Sequence, residues 1–336
     1  MNIHDTIAHL AEGNHLTRDQ AADAMRFLMS GKATPAQMGA LLLALRMKGE
    51  TSDEITGFVQ TMRQFATPIT TDRRPLVDTC GTGGDRSGTF NISTTAAFVV
   101  AGADVAVAKH GNRSASSKCG SADVLEELGV NVDASPEAVG RCIDEIGIGF
   151  LFARQLHPAM KNVAQTRQEL KLRTVFNILG PLSNPAGADA QVVGVFNAAL
   201  VDTMAEVLMN MGSRHALVVA GLDGLDEITL AAPTRVAETR DGSMRTFEIN
   251  PGDVGIASAP RDALLGGDAR ENADILRRVL EGDEGPRRDV VLLNAGAAIM
   301  AGSPGMGWQG GVEAARESID SGAALGKLEQ LIRLTK

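Results

Sequence analysis

Apolar positions along the first sixty-odd residues recur at three- and four-residue spacing, and hydroxyl side chains mark where the longer runs begin. Thr17 with Gln20, Thr34 with Gln37 and Thr51 with Glu54 each fit a capping box, in which the hydroxyl and the side chain three places on satisfy each other's backbone N–H groups. Pro35 falls in a first turn, where its missing N–H costs nothing, and Gly49 after Lys48 stops the helix. A shorter helix on Ile3, Ile7 and Leu10 precedes these three. The segment 36–48 carries Met38, Leu41, Leu42, Leu43, Leu45 and Met47, more apolar surface than one amphipathic face needs. Such a helix is enclosed on several sides, by its own core or by a second subunit.

After the polar connection from Thr67-Pro68 to Arg73-Arg74-Pro75, short apolar runs alternate with helical stretches, the pattern of a parallel sheet. Strands are predicted over 76–78, 105–108, 148–152, 192–196, 216–220 and 290–293. Helices are predicted over 121–128, 136–146, 158–170, 198–211 and 268–281. Residues 235–240 and 244–249, joined at Asp241-Gly242-Ser243, form a hairpin pattern. The expected fold class is α/β: a small N-terminal helical domain over 1–70, with helices near 158–185 joining it, and a larger α/β domain over 75–336 with a mostly parallel central sheet flanked by helices.

Composition narrows the function. With 336 residues and 44% hydrophobic content the chain can bury a large core, and no apolar run approaches the ~18 residues of a membrane-spanning helix. A secretion signal is not evident at the N-terminus, so the expected location is cytoplasmic. The formal charge of −9 disfavours nucleic acid and anionic membrane surfaces as partners, and an anionic ligand needs local positive charge. Three separated cysteines, Cys80, Cys119 and Cys142, suggest neither a disulfide framework nor a zinc site.

That local help is concentrated after three strands, where ligands sit in open parallel sheets. The first loop, Gly81-Thr82-Gly83-Gly84-Asp85, leads through Thr89 to Asn91, Ser93 and Thr94 at the start of an apolar helix. Glycine backbone freedom and unpaired helix N–H groups together suit a phosphate. A dinucleotide fingerprint fails because Arg86 stands where its third glycine belongs, and no phosphate-loop Gly-Lys-Ser/Thr ending exists. The second loop, from Lys109 to Lys118, offers Lys109, Arg113 and Lys118 as cations and Ser114, Ser116 and Ser117 as hydroxyls. The third carries Asp226-Glu227, adjacent carboxylates that suit a Mg²⁺ bridging substrate phosphates. Asp85 could take a metal, bind a sugar hydroxyl or close its own turn.

Those motifs, with His157-Pro158-Ala159-Met160 and the run 173–182, together resemble the anthranilate phosphoribosyltransferase family of tryptophan biosynthesis, over essentially the whole chain. The resemblance implies that Gly81, Gly83, Gly84, Asp85, Thr89, Asn91, Ile92, Ser93 and Thr94 hold phosphoribosyl pyrophosphate (PRPP), together with Lys109, His110, Gly111, Asn112, Arg113, Ser114, Ala115, Ser116, Ser117 and Ser121. It implies Ser93, Asp226 and Glu227 as ligands of two Mg²⁺ ions, and Gly81, Asn112 and Arg167 as contacts of anthranilate, with His110, His157 and Pro181 near the acceptor channel. A homodimer through the helical domain is implied as well. Arg154, where the family commonly has proline, and Cys119, for a usual serine, depart from the pattern.

The implied reaction needs charge neutralised on departing pyrophosphate and an aromatic amine oriented beside the sugar carbon. It needs neither a covalent enzyme intermediate nor an obligatory acid, base or nucleophile. Two rival readings are a pyrimidine nucleoside phosphorylase, which needs no Asp226-Glu227 pair, and a non-catalytic nucleic-acid-binding relative, which the net charge opposes.

Overall fold

The structure, a computed structural model, describes residues 1–114 and 118–336. Four helices open the chain: α1 (Ile3–Ala11), α2 (Arg18–Met29), α3 (Pro35–Lys48) and α4 (Ser52–Phe65). All three capping boxes form at α2, α3 and α4, and Gly49 closes α3 with a φ of 86°. Glu54 does more than cap. Fully buried, it accepts from Leu16 N at 2.8 Å and Thr51 N at 2.8 Å and pairs with Lys48 Nζ at 2.8 Å, so its charge is met on every side.

Next come β1 (Leu76–Gly81), α5 (Ile92–Gly102), β2 (Ala106–Gly111), α6 (Ser121–Glu127), α7 (Pro136–Ile146), β3 (Ile148–Phe152), α8 (Ala153–Leu156), α9 (Lys161–Leu170) and α10 (Phe176–Leu182). The chain continues through β4 (Ala190–Gly194), α11 (Val201–Asn210), β5 (His215–Gly221), β6 (Thr234–Arg240), β7 (Ser243–Ile249), α12 (Ala269–Leu280), α13 (Pro286–Gly302), α14 (Trp308–Asp320) and α15 (Ala323–Leu334). Seven strands make one sheet in the order β3-β2-β1-β4-β5-β6-β7. The first five are parallel and the last two antiparallel. The β6–β7 hairpin turns on Asp241 (φ 50°) and Gly242 (φ 78°), with Arg240 paired to Ser243, the doubly left-handed turn that follows strand twist.

Side chains alternate across the sheet and so build apolar cores on both of its faces. Val77, Val107, Val192 and Leu217 pack with α5 and α13 on one face. On the other, Cys80, Val193 and Val218 share a core with Met25, Leu42 and Phe58 of the helical unit, and Val163, Ile178 and Leu179 from α9 and α10 belong to it too. The first four helices therefore sit on the sheet through a continuous apolar contact that α9 and α10 complete.

Two expectations fail. Residues 290–293 are helical, lying inside the 17-residue α13. Pro286 at its first turn and the following Ala295, Ala297, Ala298 and Ala301 favour a helix, and burial between the sheet and neighbouring helices makes its polar face disappear. Second, Lys109 and His110, read as loop residues, lie in β2. They are polar yet strand-bound because each side chain finds a buried partner, as described next.

Candidate active site

The chain runs from β1 outward to β2 and β3, then returns to β4 on the other side of β1, so a crevice opens where the order reverses, at the carboxyl ends of β1 and β4. Gly81 ends β1 and Gly194 ends β4. Between them the glycine turn is pinned by Thr82 N to Gly194 O at 2.9 Å and Gly83 N to the Asp226 carboxylate at 2.8 Å. Gly83 and Gly84 take φ values of 64° and 78°, which side chains with a β-carbon resist. A Cβ on Gly81 would sit 2.8 Å from Asp226 Oδ2. Asp85 closes the turn by accepting from Ser87 N at 3.1 Å, and its other oxygen lies 3.5 Å from Asp226 N. Thr89 bridges to Leu265.

At the start of α5, Ser93 N donates to Glu227 Oε1 at 3.2 Å. Ile92 and Thr94 are buried beneath it, and the Asn91 carboxamide turns aside to accept from Asn272 Nδ2 at 3.0 Å. Lys109, only 4% exposed, donates from Nζ to Thr79 O and lies 3.5 Å from Ser93 Oγ. The three strand-end loops thus meet: Asp85, Asp226 and Glu227 crowd together with one buried ammonium beside them. Burial first, and then repulsion from Asp85 at Asp226 and from Asp226 and Asp85 at Glu227, raises both carboxyls above the usual range, while Lys109 acts against the rise at Glu227. Among the described residues, no three His, Cys, Asp or Glu side chains are already gathered around one cation position. The donor chemistry nevertheless fits Mg²⁺, because two crowded carboxylates and the Ser93 hydroxyl supply hard oxygens and excess negative charge.

Farther along β2, His110 and His157 face each other with Nε2 atoms 3.2 Å apart. Burial pushes His110 down to about 3, with His157 and Lys109 adding to the shift, and pushes His157 down to about 4. Asp78, fully buried on β1, accepts from His110 N at 3.0 Å and from Asn184 Nδ2 at 2.8 Å, fixing the strand that carries both Lys109 and His110. Pro181 lies buried in α10, its carbonyl accepting from Gln191 Nε2 at 3.0 Å.

Beyond Gly111 the second loop folds onto α6. Asn112 N donates to Ser121 Oγ at 3.0 Å, and Ser114 N to Asp123 at 3.2 Å. Arg113, expected as a phosphate donor, is engaged by Asp123 at 2.9 Å and Glu126 at 2.5 Å. Ala115, Ser116 and Ser117 lie outside the described residues. Arg167 is half-buried on α9 with its guanidinium over the Phe176 ring, 5.1 Å from the centroid, and no carboxylate pairs with it among the described residues. The sequence pattern does not single out Asp78, Asn184 or Gly194 as site residues. A charged residue inside an apolar strand was the available signal for Asp78. Gly194 carried none, since its function is a contact with a loop 32 positions away.

Sheet order, crevice and attached bundle define a class of enzyme, the glycosyl transferases with a helical bundle domain. The family model for the helical bundle domain of a glycosyl transferase family matches residues 4–66, and that for its a/b domain matches residues 73–325. Within that class the sequence is specific. The chain is 57% identical over 329 residues to an anthranilate phosphoribosyltransferase from Symbiobacterium thermophilum, covering 98% of this chain and 96% of that one. It is 56% identical to one from Rhodopseudomonas palustris, covering 98% and 97%. A crystal structure of the Thermus thermophilus anthranilate phosphoribosyltransferase superposes with a TM-score of 0.94 at 47% identity, over 98% of this chain and 99% of that chain. The Saccharomyces cerevisiae enzyme in complex with PRPP and Mg superposes with a TM-score of 0.90 at 27% identity, over 99% and 97%. The chain belongs to the anthranilate phosphoribosyltransferase family.

Among the described residues no helix is long and apolar enough to cross a membrane.

Proposed function

We propose that the chain transfers the phosphoribosyl group of PRPP to the amine of anthranilate, releasing pyrophosphate and forming N-(5-phosphoribosyl)anthranilate, a step of L-tryptophan biosynthesis. The observation that carries this reading is the meeting of the glycine turn, Lys109 and the Asp226-Glu227 pair at the β1/β4 reversal. A helix start, a turn of left-handed glycines and a buried ammonium together favour a diphosphate. Ser93, Asp226 and Glu227 would hold two Mg²⁺ ions, which supply positive charge against the departing pyrophosphate.

On the acceptor side Gly81, Asn112 and Arg167 receive anthranilate, with His110, His157 and Pro181 lining the approach. Arg167 suits the carboxylate because its charge is partly desolvated and meets an aromatic ring instead of an acid. The histidine pair stays neutral near pH 7, which keeps repulsion of the cationic Arg167 and Lys109 out of the channel. An aromatic amine is itself a nucleophile, so the protein orients it and needs no covalent intermediate.

The same reading includes a homodimer. Leu43 and Met47, one helical turn apart on α3, are 41% and 80% exposed, an apolar strip suited to a second copy. The reaction is tested by loss of anthranilate fluorescence on adding PRPP. Loss that requires both PRPP and Mg²⁺ supports the reading. Phosphorolysis of pyrimidine nucleosides without such loss overturns it.

A further inference from the structure

Arg173 lies between α9 and α10 and touches both halves of the molecule. Its guanidinium lies over the Phe196 ring at 3.9 Å from the centroid and donates from Nη2 to the Gly84 carbonyl in the glycine turn. Its own carbonyl accepts from Arg46 Nη1 on α3. Phe196 is tied to the same turn, since its N–H donates to Thr82 Oγ1 at 3.1 Å. A cation, a ring and a carbonyl therefore form one stack against the peptide of Gly84, and a Cβ added there would lie 3.0 Å from Arg173 Nη2.

The rest of the turn is lightly held. Gly83 N is fixed by Asp226 at 2.8 Å, and Gly88 O accepts from Gly266 N at 2.9 Å. Across that span Gly83, Gly84 and Gly88 are left-handed, with φ values of 64°, 78° and 70°, and Arg86 has a positive φ of 59°. Among the described residues, the Arg173 bond and the 3.5 Å approach of Asp226 N to Asp85 are what ties this span to the body of the protein. Glycine-rich backbone loses much conformational freedom when ordered, so a ligand that needs the turn in one shape gains affinity if another residue has already ordered it.

We propose that Arg173 is a positioning residue for the diphosphate: stacked on Phe196 and anchored to α3 through its own backbone, it holds the glycine turn in the shape that receives the pyrophosphate end of PRPP. This rests on the PRPP reading of the site. It also makes α3 the support of the substrate loop. Arg173 acts through the Gly84 peptide, and the arrangement requires a planar cation that can stack and donate in one pose.

The test compares the wild type with Arg173→Ala, Arg173→Lys and Phe196→Leu. Arg173→Ala is expected to raise the KM for PRPP about tenfold, the scale of one charge-assisted hydrogen bond, while the KM for anthranilate and kcat change far less. Arg173→Lys keeps the charge but not the stack and is expected to recover only part of the loss. Phe196→Leu should shift the same constant in the same direction, and less than additively when combined with Arg173→Ala. Amide exchange at 81–88 in the free protein should accelerate in each variant. Because exchange is read without turnover, it separates this proposal from the assignment of substrates: a wild type that leaves anthranilate unconsumed refutes the assignment, whereas unchanged exchange in the variants refutes the clamp. A PRPP KM equal to that of the wild type in Arg173→Ala, or an equal rise for both substrates together with a lowered melting temperature, also overturns it.

Discussion

Gly194→Ala gives a direct steric probe of the crevice. Gly194 has ordinary strand geometry, so alanine meets no backbone penalty there, and any effect comes from the added methyl. That methyl would stand 1.7 Å from the Asp226 carbonyl oxygen and 2.6 Å from its carbonyl carbon, where real Cβ contacts stay beyond 3.0 Å. Both obstructing atoms are backbone and cannot rotate away. The Asp226-Glu227 segment or the end of β4 must shift by more than roughly 1 Å, a misplacement that can lower catalysis about 100-fold. The Gly194 carbonyl also receives Thr82 N at 2.9 Å, so the shift reaches the glycine turn. Overpacking of this kind removes about 1–3 kcal/mol of stability. Initial rates against PRPP and Mg²⁺, with thermal melts alongside, measure both effects. Gly252→Ala, whose added Cβ meets nothing within 4 Å, is the control. If Gly194→Ala kept the wild-type kcat/KM and Mg²⁺ requirement, the crevice could not depend on the close approach of Gly194 to Asp226, and the account of the site would be wrong.

Two further outcomes follow from the acceptor side. Arg167→Ala should raise the KM for anthranilate about ten- to a hundredfold, the range of a lost charge-assisted bond, and the KM for PRPP much less; equal effects would remove Arg167 from the acceptor site. The buried histidines should make the fold sensitive to acid. Their folded-state values of about 3 and 4 lie below the 6.5 of the free side chain, so below pH 6.5 the unfolded chain takes up protons that the native pair refuses. Stability then falls with pH, by roughly 1–2 kcal/mol per histidine between pH 6.5 and 5. His157→Gln should lessen that fall by at least this amount in urea titrations at several pH values, and the comparison with wild type cancels other titrating groups. A parallel fall in the two proteins would contradict the burial argument.

Much of the local structure was written in the residue order. The three capping boxes, the Asp241-Gly242 turn and the boundaries of α7 depend on side chains reaching backbone within four positions, and they form where the spacing places them. The glycine turn and the Asp226-Glu227 pair were also visible, since each combines residue types that a plain loop or strand does not need. The run 290–293 shows the limit: four apolar residues suit a buried strand or a buried helix, and only the enclosure of α13 on all sides separates them. Lys109 and His110 were misplaced for a similar reason, because polarity suggested a loop while Thr79 O, Asp78 and His157 were waiting beside β2.

The sequence by itself determined the capped helix starts, the tight turns and which residue types gather after the strands, because those outcomes rest on neighbours close in the chain. Tertiary structure alone decided that β1 lies between β2 and β4, that Gly194 must yield space to Asp226, that Arg113 is engaged by α6, and that Arg173 reaches Gly84. Each is a contact between residues with no shared period or motif. Strand order and close packing bring such residues together, and neither exists until the whole core has formed.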